Sequence, residues 1–129
     1  MKVICDTSFL MVLVSNRISR LDNIESELGR LCFVVPDLVL DELKHIQDMA
    51  GPKRSMIART AIKIAHSRFG LVKFKRSYPV DDAIVDYVRT NRCAAATLDK
   101  NLKRKLIETE ILVFTLSKNR IIVANNVQY

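Results

Sequence analysis

The chain is expected to fold as one α/β domain, a mostly parallel sheet covered on both faces by helices. Three observations lead there. Short apolar runs alternate with longer amphipathic stretches along the whole sequence, the pattern of strands joined by crossover helices. With 129 residues and 49% hydrophobic side chains, the chain can bury one substantial core and is too apolar for wholesale disorder. No internal repeat, low-complexity tract or linker interrupts it, so a single domain is expected over residues 1–129.

Val3-Ile4-Cys5 is an apolar run that ends on Asp6. Lys2 to Cys5 therefore reads as a buried strand whose tip delivers a carboxylate, and Thr7 and Ser8 open a helix through Leu13. Ser15 to Arg20 is a polar connection, and Leu21 to Leu28 reads as a second helix closed by Gly29. Cys32 to Val35 is the second strand, ended by Pro36. Asp37 is the expected cap of a helix running to about Met49, and Gly51-Pro52 breaks the chain. Arg54 to Phe69 is a long amphipathic helix with Ile57, Ala61, Ile64 and Ala65 on one side. Leu71 to Phe74 is the third strand. Pro79 opens a helix to about Arg89, and Cys93 to Leu98 is a small, apolar fourth strand. Asp99 to Leu106 is a short basic helix, Ile111 to Leu116 the fifth strand, and Ile121 to Val123 a candidate edge strand.

The net charge of +7 and pI near 9.6 favour a polyanionic partner, with nucleic acid ahead of an anionic membrane surface. The excess is uneven: residues 67–129 carry twelve Lys/Arg against six Asp/Glu. Cys5, Cys32 and Cys93 are odd in number and far apart, with no CxxC pair. A zinc site is not expected, and the three read as small core residues of a reducing compartment. The N-terminal apolar stretch is interrupted by Asp6 and lacks a clean cleavage site, and no apolar run approaches the roughly 18 residues of a membrane span. The expectation is a soluble cytoplasmic protein. Only three glycines occur, none in a phosphate-loop pattern, and neither His45 nor His66 has a Ser or Cys placed as a nucleophile.

The informative residues are the acids. An ionised carboxylate beside a core strand is costly unless something pairs with it, and a cation is one such partner. In open α/β sheets ligand sites lie beyond the strand C-termini where strand order reverses. Asp6 follows the first strand and Asp99 the fourth, so both reach one cleft if those strands are neighbours. Helical phase sorts the rest. In the helix after Pro36 the apolar stripe is Val39, Leu43, Ile46 and Ala50. Glu42 lies about 60° from its centre, while Asp41 and Asp48 lie on the opposite side. In the helix after Pro79 the stripe is Val80, Ala83, Ile84, Tyr87 and Val88. Asp81 falls about 20° from Val88, and Asp82 falls with Asp86 and Arg89 on the outer face. Asp6, Glu42, Asp81 and Asp99 are thus the candidate catalytic and metal-binding acids, with Asp82 in reserve. Gathered together, they would repel one another unless a hard divalent ion neutralised them, and an all-oxygen site suits Mg²⁺ or Mn²⁺. The bland alternative is that each is a helix cap or a surface charge, and Asp99 in particular can cap the helix behind it. Thr7, Ser8 and Thr97 either hydrogen-bond these carboxylates or cap the chain locally. Lys100, Lys103, Arg104 and Lys105 either hold a phosphate backbone or form a solvated helix face. Arg54, Arg59, Lys63, Lys73, Lys75 and Arg76 are further cations of that kind, and Tyr78 and Phe69 are base-stacking candidates set against core roles.

Asp6-Thr7-Ser8, Asp41-Glu42-Leu43, Asp81-Asp82-Ala83-Ile84 and Thr97-Leu98-Asp99, taken in order, resemble the acidic motifs of PIN-domain ribonucleases over essentially the whole chain. The segments Val80 to Val85 and Ala96 to Lys105 are most similar to the subgroup that cleaves small-subunit rRNA precursors, and the same domain serves as the VapC-type toxin of toxin–antitoxin pairs. The resemblance implies a three-layer α/β/α fold with five strands in the order 3-2-1-4-5. It also implies metal-dependent RNA cleavage and frequent homodimers. The partners implied are RNA and either an antitoxin protein or a preribosomal particle. Two rival expectations are a non-catalytic RNA-binding module of the same fold and a phosphoacceptor receiver-like domain.

Overall fold

The centre of the sheet is β1, Lys2–Cys5, in which Val3, Ile4 and Cys5 are fully buried. A strand buried on both faces has no polar side to turn to water, which is why its sequence is a continuous apolar run rather than an alternation. The computed structural model describes residues 1–16, 25–26, 29–74, 79–117 and 120–125. After β1 come α1 (Thr7–Ser15), a small hairpin of β2 (Glu25–Ser26) and β3 (Gly29–Arg30), and β4 (Cys32–Pro36). Then follow α2 (Asp37–Met49), α3 (Pro52–Arg68), β5 (Gly70–Val72), α4 (Val80–Asn91) and β6 (Ala94–Ala96). α5 (Lys100–Glu108), β7 (Val113–Ser117) and β8 (Arg120–Val123) complete the described elements.

The main sheet has the order β5-β4-β1-β6-β7-β8. β1 lies parallel between β4 and β6, with Val3 opposite Phe33 on one side and Ala94 on the other. Only β8 is antiparallel, paired with β7 at one edge. The five expected strands therefore take the expected order, and the candidate edge strand adds a sixth. Helices α1, α2 and α3 pack with one another, and α4 packs with α5. The result is a three-layer α/β/α fold with five helices among the described residues. Chain order reverses on either side of β1, so the tips of β1 and β6 flank the position where such sheets hold ligands. No described helix is long and apolar enough to cross a membrane.

Four local expectations are corrected. Within the helix expected over Leu21 to Leu28, Glu25–Ser26 instead pair antiparallel with Gly29–Arg30; residues 21–24 and 27–28 lie outside the described residues. Asp37 is not the cap of α2: that position is Pro36, and the Asp37 carboxylate accepts from Leu38 N at 2.9 Å and Phe74 N at 3.0 Å. It ties the start of α2 to the chain leaving β5. The buried stripe of α3 is Ala58, Ala61 and Ala65, with Ile57 and Ile64 only half-buried. Small residues win that face because α3 lies close against both α1 and α2. Cys32 is exposed at the start of β4, whereas Cys5 is buried and Cys93 half-buried, so only Cys5 is a full core residue.

Candidate active site

Asp6 is held from every side. Its backbone N–H donates to Ala96 O at 3.1 Å, extending the β1–β6 ladder one residue past the strand. It then caps α1, its carboxylate accepting from Phe9 N at 2.8 Å. Ser8 Oγ donates to the same carboxylate at 2.9 Å, and Thr97 Oγ1 donates to Oδ2. The residue is only 5% exposed. Burial pushes its pKa up to about 6, and the charge of Asp81 adds to the rise; the bonds from Thr97, Phe9 and Ser8 pull the other way.

The two hydroxyls do more than hold Asp6. Thr97 Oγ1 accepts from Asp99 N and Ser8 Oγ from Leu98 N, each at 3.0 Å. The turn after β6 is thereby bolted to the start of α1, which fixes Asp99 relative to Asp6. Asp99 caps α5 by accepting from Leu102 N at 2.9 Å, so the local capping role is real. Glu42, on α2, accepts a hydrogen bond from Thr7 Oγ1. Asp81 sits in the first turn of α4, half-buried, and accepts no hydrogen bond from the described residues. Burial raises its pKa, the charges of Asp99 and Asp82 add to this, and Lys105 opposes it.

Asp6, Glu42, Asp81 and Asp99 line one cavity of about 350 Å³, together with Thr7, Ser8 and Arg54. Four elements thus send an acid to one place at the C-terminal edge of the sheet. The N-termini of α1, α4 and α5 open beside it, where their partial positive charge tempers the crowding. Asp82 lies outside that lining: it is exposed, pairs with Lys105 at 3.4 Å, and lines a separate pocket with Asp86 and Arg89, acting on Asp81 through its charge.

A family model described as a PIN like domain matches residues 3–119. The chain belongs to the PIN-like domain family. It is similar to Ribonuclease VapC4 of Methanocaldococcus jannaschii, at 28% identity over 124 residues and 92% of each chain. Among solved structures it resembles the PIN domain endonuclease Utp24, with a TM-score of 0.77 at 26% identity over 95% of this chain and 90% of that one.

In this PIN-like domain the donor set at the cleft consists of carboxylate and hydroxyl oxygens, the chemistry a hard divalent ion prefers. Among the described residues no three His, Cys, Asp or Glu side chains come near enough to share one ion as they stand. The site is therefore an acidic cleft rather than a closed cage. Its carboxylates still suit Mg²⁺ or Mn²⁺, since those of Asp6 and Asp81 are raised by burial and by neighbouring negative charge, a conflict that a cation relieves.

The basic candidates divide. Lys100, Arg104 and Lys105 are exposed on α5 and Lys103 is half-buried, directly behind Asp99. Phe69 is half-buried against the core, its ring tilted 60° to that of Phe33 with centroids 5.4 Å apart, so its role is packing. His45 and His66 are exposed. Lys75, Arg76 and Tyr78 lie outside the described residues. Arg54, one of the secondary basic candidates, is the only Lys or Arg among the described residues lining the cleft. Its spacing to Ala58, Ala61 and Ala65 (four, seven and eleven residues) is the pattern that points to it, because those alanines mark the inner face of α3.

Proposed function

We propose that this PIN-like domain is a divalent-metal-dependent endoribonuclease that hydrolyses RNA phosphodiester bonds at the acidic cleft. The observation that carries the reading is the meeting of Asp6, Glu42, Asp81 and Asp99, from four separate elements, on one cavity at the strand-order reversal. The likeness to a ribonuclease and to an endonuclease, each over nine-tenths of its length, supports it. Asp6, Asp81 and Asp99 would hold Mg²⁺ or Mn²⁺, with Glu42 as a further ligand or as the group orienting the attacking water. The ion, when bound, supplies Lewis-acid activation of water and stabilises the leaving 3′ oxygen, so the product carries a 5′ phosphate. Ser8 and Thr97 hold the Asp6 carboxylate in one orientation, and Thr7 does the same for Glu42. Lys100, Lys103, Arg104 and Lys105 attract the RNA backbone without reading its sequence.

The test is cleavage of single-stranded and structured RNA by the purified chain with Mn²⁺ or Mg²⁺, with EDTA, and by Asp6→Asn. Metal-dependent cutting that the variant loses is expected. Cutting that survives both EDTA and the substitution belongs to a contaminant, and RNA left intact under every metal condition overturns the reading. Two biological settings fit the same chemistry. Similarity to VapC4 favours a cytoplasmic toxin bound by an antitoxin; similarity to Utp24 favours rRNA processing on a preribosomal particle. Growth arrest relieved by a co-expressed small partner supports the first, and co-sedimentation with preribosomes the second. A homodimer is compatible with both and is read directly by light scattering.

A further inference from the structure

We infer that Arg54 is a phosphate-binding residue of the cleft, anchoring the RNA backbone on the α3 side, opposite the basic helix α5. The inference rests on the nuclease reading for its ligand and on three observations for its place.

The first is electrostatic. The cleft is lined by four carboxylates, and a nucleic acid brings further negative charge to it. Among the described residues lining the cleft Arg54 is the only Lys or Arg, and with Lys105, whose charge reaches Asp81 from α5, it can offset that repulsion. The second is its address. Ala58, Ala61 and Ala65 form the inner stripe of α3. Arg54 stands one turn before Ala58 on that stripe, so the same face that packs on α1 and α2 becomes, at its N-terminal end, a wall of the cleft. An arginine placed only for solubility belongs on the outer face, with Arg59 and Lys63. The third is that the guanidinium is unspent. Although it shares a cavity with Glu42, Asp6, Asp81 and Asp99, Arg54 forms no ion pair or hydrogen bond with any described residue. Its fork of donors matches a phosphate, whose oxygens it can take two at a time. Lys103 and Arg104 belong to α5, the helix that Asp99 caps, so a strand running from Arg54 past the acids to α5 would meet basic residues at both ends.

The experiment compares wild type, Arg54→Ala, Arg54→Met and Arg54→Lys on a fluorescent single-stranded RNA. Binding is measured in EDTA, where no cleavage occurs, and steady-state cleavage with Mn²⁺. Arg54→Ala and Arg54→Met should weaken binding about tenfold and lower the slope of log affinity against log salt by about 0.7, one single-strand phosphate contact. KM should rise with kcat within about twofold, the signature of a lost binding contact. Arg54→Lys should recover the salt slope but only part of the affinity. Unchanged affinity and slope in both neutral variants overturn the inference, as does a fall in kcat alone. If wild type binds RNA but never cuts it, the nuclease reading fails while the binding arm still decides the role of Arg54.

Discussion

The two ends of the sheet hold two different cavities. At the N-terminal ends of the strands a space of about 590 Å³ is lined by Lys2, Arg89, Arg92, Cys93, Glu110 and neighbours. At the C-terminal ends the acidic cleft is smaller, about 350 Å³. Size would choose the first; chemistry chooses the second. Around the larger cavity the charged groups have local work. Arg92 and Glu110 both adopt left-handed backbone angles, at φ 50° and φ 61°, where α4 and α5 end. The basic side chain of Arg92 suits the C-terminus of α4. Arg89 pairs with Asp86 at 3.5 Å, and Lys2 lies over the Tyr87 ring. At the cleft, capping explains Asp6 and Asp99 only in part, and it does not explain Asp81 at all. Asp81 gains from its place in the first turn of α4, but it is half-buried beside Asp99 without a hydrogen-bond donor among the described residues, a cost the exposed Asp82 on the same turn does not carry.

That contrast can be broken by substitution. The largest effect is expected at the cleft: Asp6→Asn or Asp99→Asn should lower the rate of metal-dependent RNA cleavage by about 10²- to 10³-fold. Next comes the pair that the helix separates. Asp81→Asn should cost about 10²-fold in rate. Its neighbour Asp82→Asn, which removes an exposed pair with Lys105 and a minor charge effect on Asp81, should stay within about twofold. Equal losses at the two would return Asp82 to the site.

A third expectation concerns stability. Asp6 titrates near 6 in the folded chain, against about 3.9 in an unfolded one. Because the folded value is raised, the native state holds the extra proton; the benefit is full below the unfolded value and is lost as pH climbs through about 6. At neutral pH and without metal, Asp6→Asn should therefore raise stability by about 1–2 kcal/mol, after allowing for weaker bonds from Phe9 N and Thr97. Thermal melts across the range from acid to neutral pH read this directly. The gain should vanish at acid pH, and added Mn²⁺ should raise the Tm of wild type more than that of the variant. A variant that is less stable at every pH would mean that hydrogen bonding, not charge burial, dominates at Asp6. The smallest effect belongs to the other end: Arg89→Ala and Arg92→Ala should leave cleavage within about twofold.

Much of this was legible in one sequence because period and punctuation decide it. The continuous apolar run of β1, the Asp after it, and the helical phase separating Asp81 from Asp82 are local properties, and the structure keeps them. What was not legible depends on partners far along the chain. Glu25–Ser26 become a strand only because Gly29–Arg30 pair with them. Asp37 is drawn from its capping duty by Phe74 N, 37 residues away. Cys32 reads as core from its apolar neighbours yet is exposed where β4 begins. The inner face of α3 follows alanines instead of isoleucines because close helix packing rewards small volume, which a scale of hydrophobicity does not weigh. Arg54, only one of several secondary cations in the sequence, is singled out by that same face.

The strand beside β1 has a last implication. β6 is Ala94-Ala95-Ala96, every residue buried, and it leads directly to Thr97 and Asp99. Methyl groups are the smallest side chains a strand can carry short of glycine, so variation there runs almost wholly toward enlargement, at about 1–3 kcal/mol per added branch. Any such growth wedges apart the backbones that set the spacing of the acids. Random mutagenesis should therefore find this short segment among the least forgiving in the molecule, with variants that still fold but hold their carboxylates out of register.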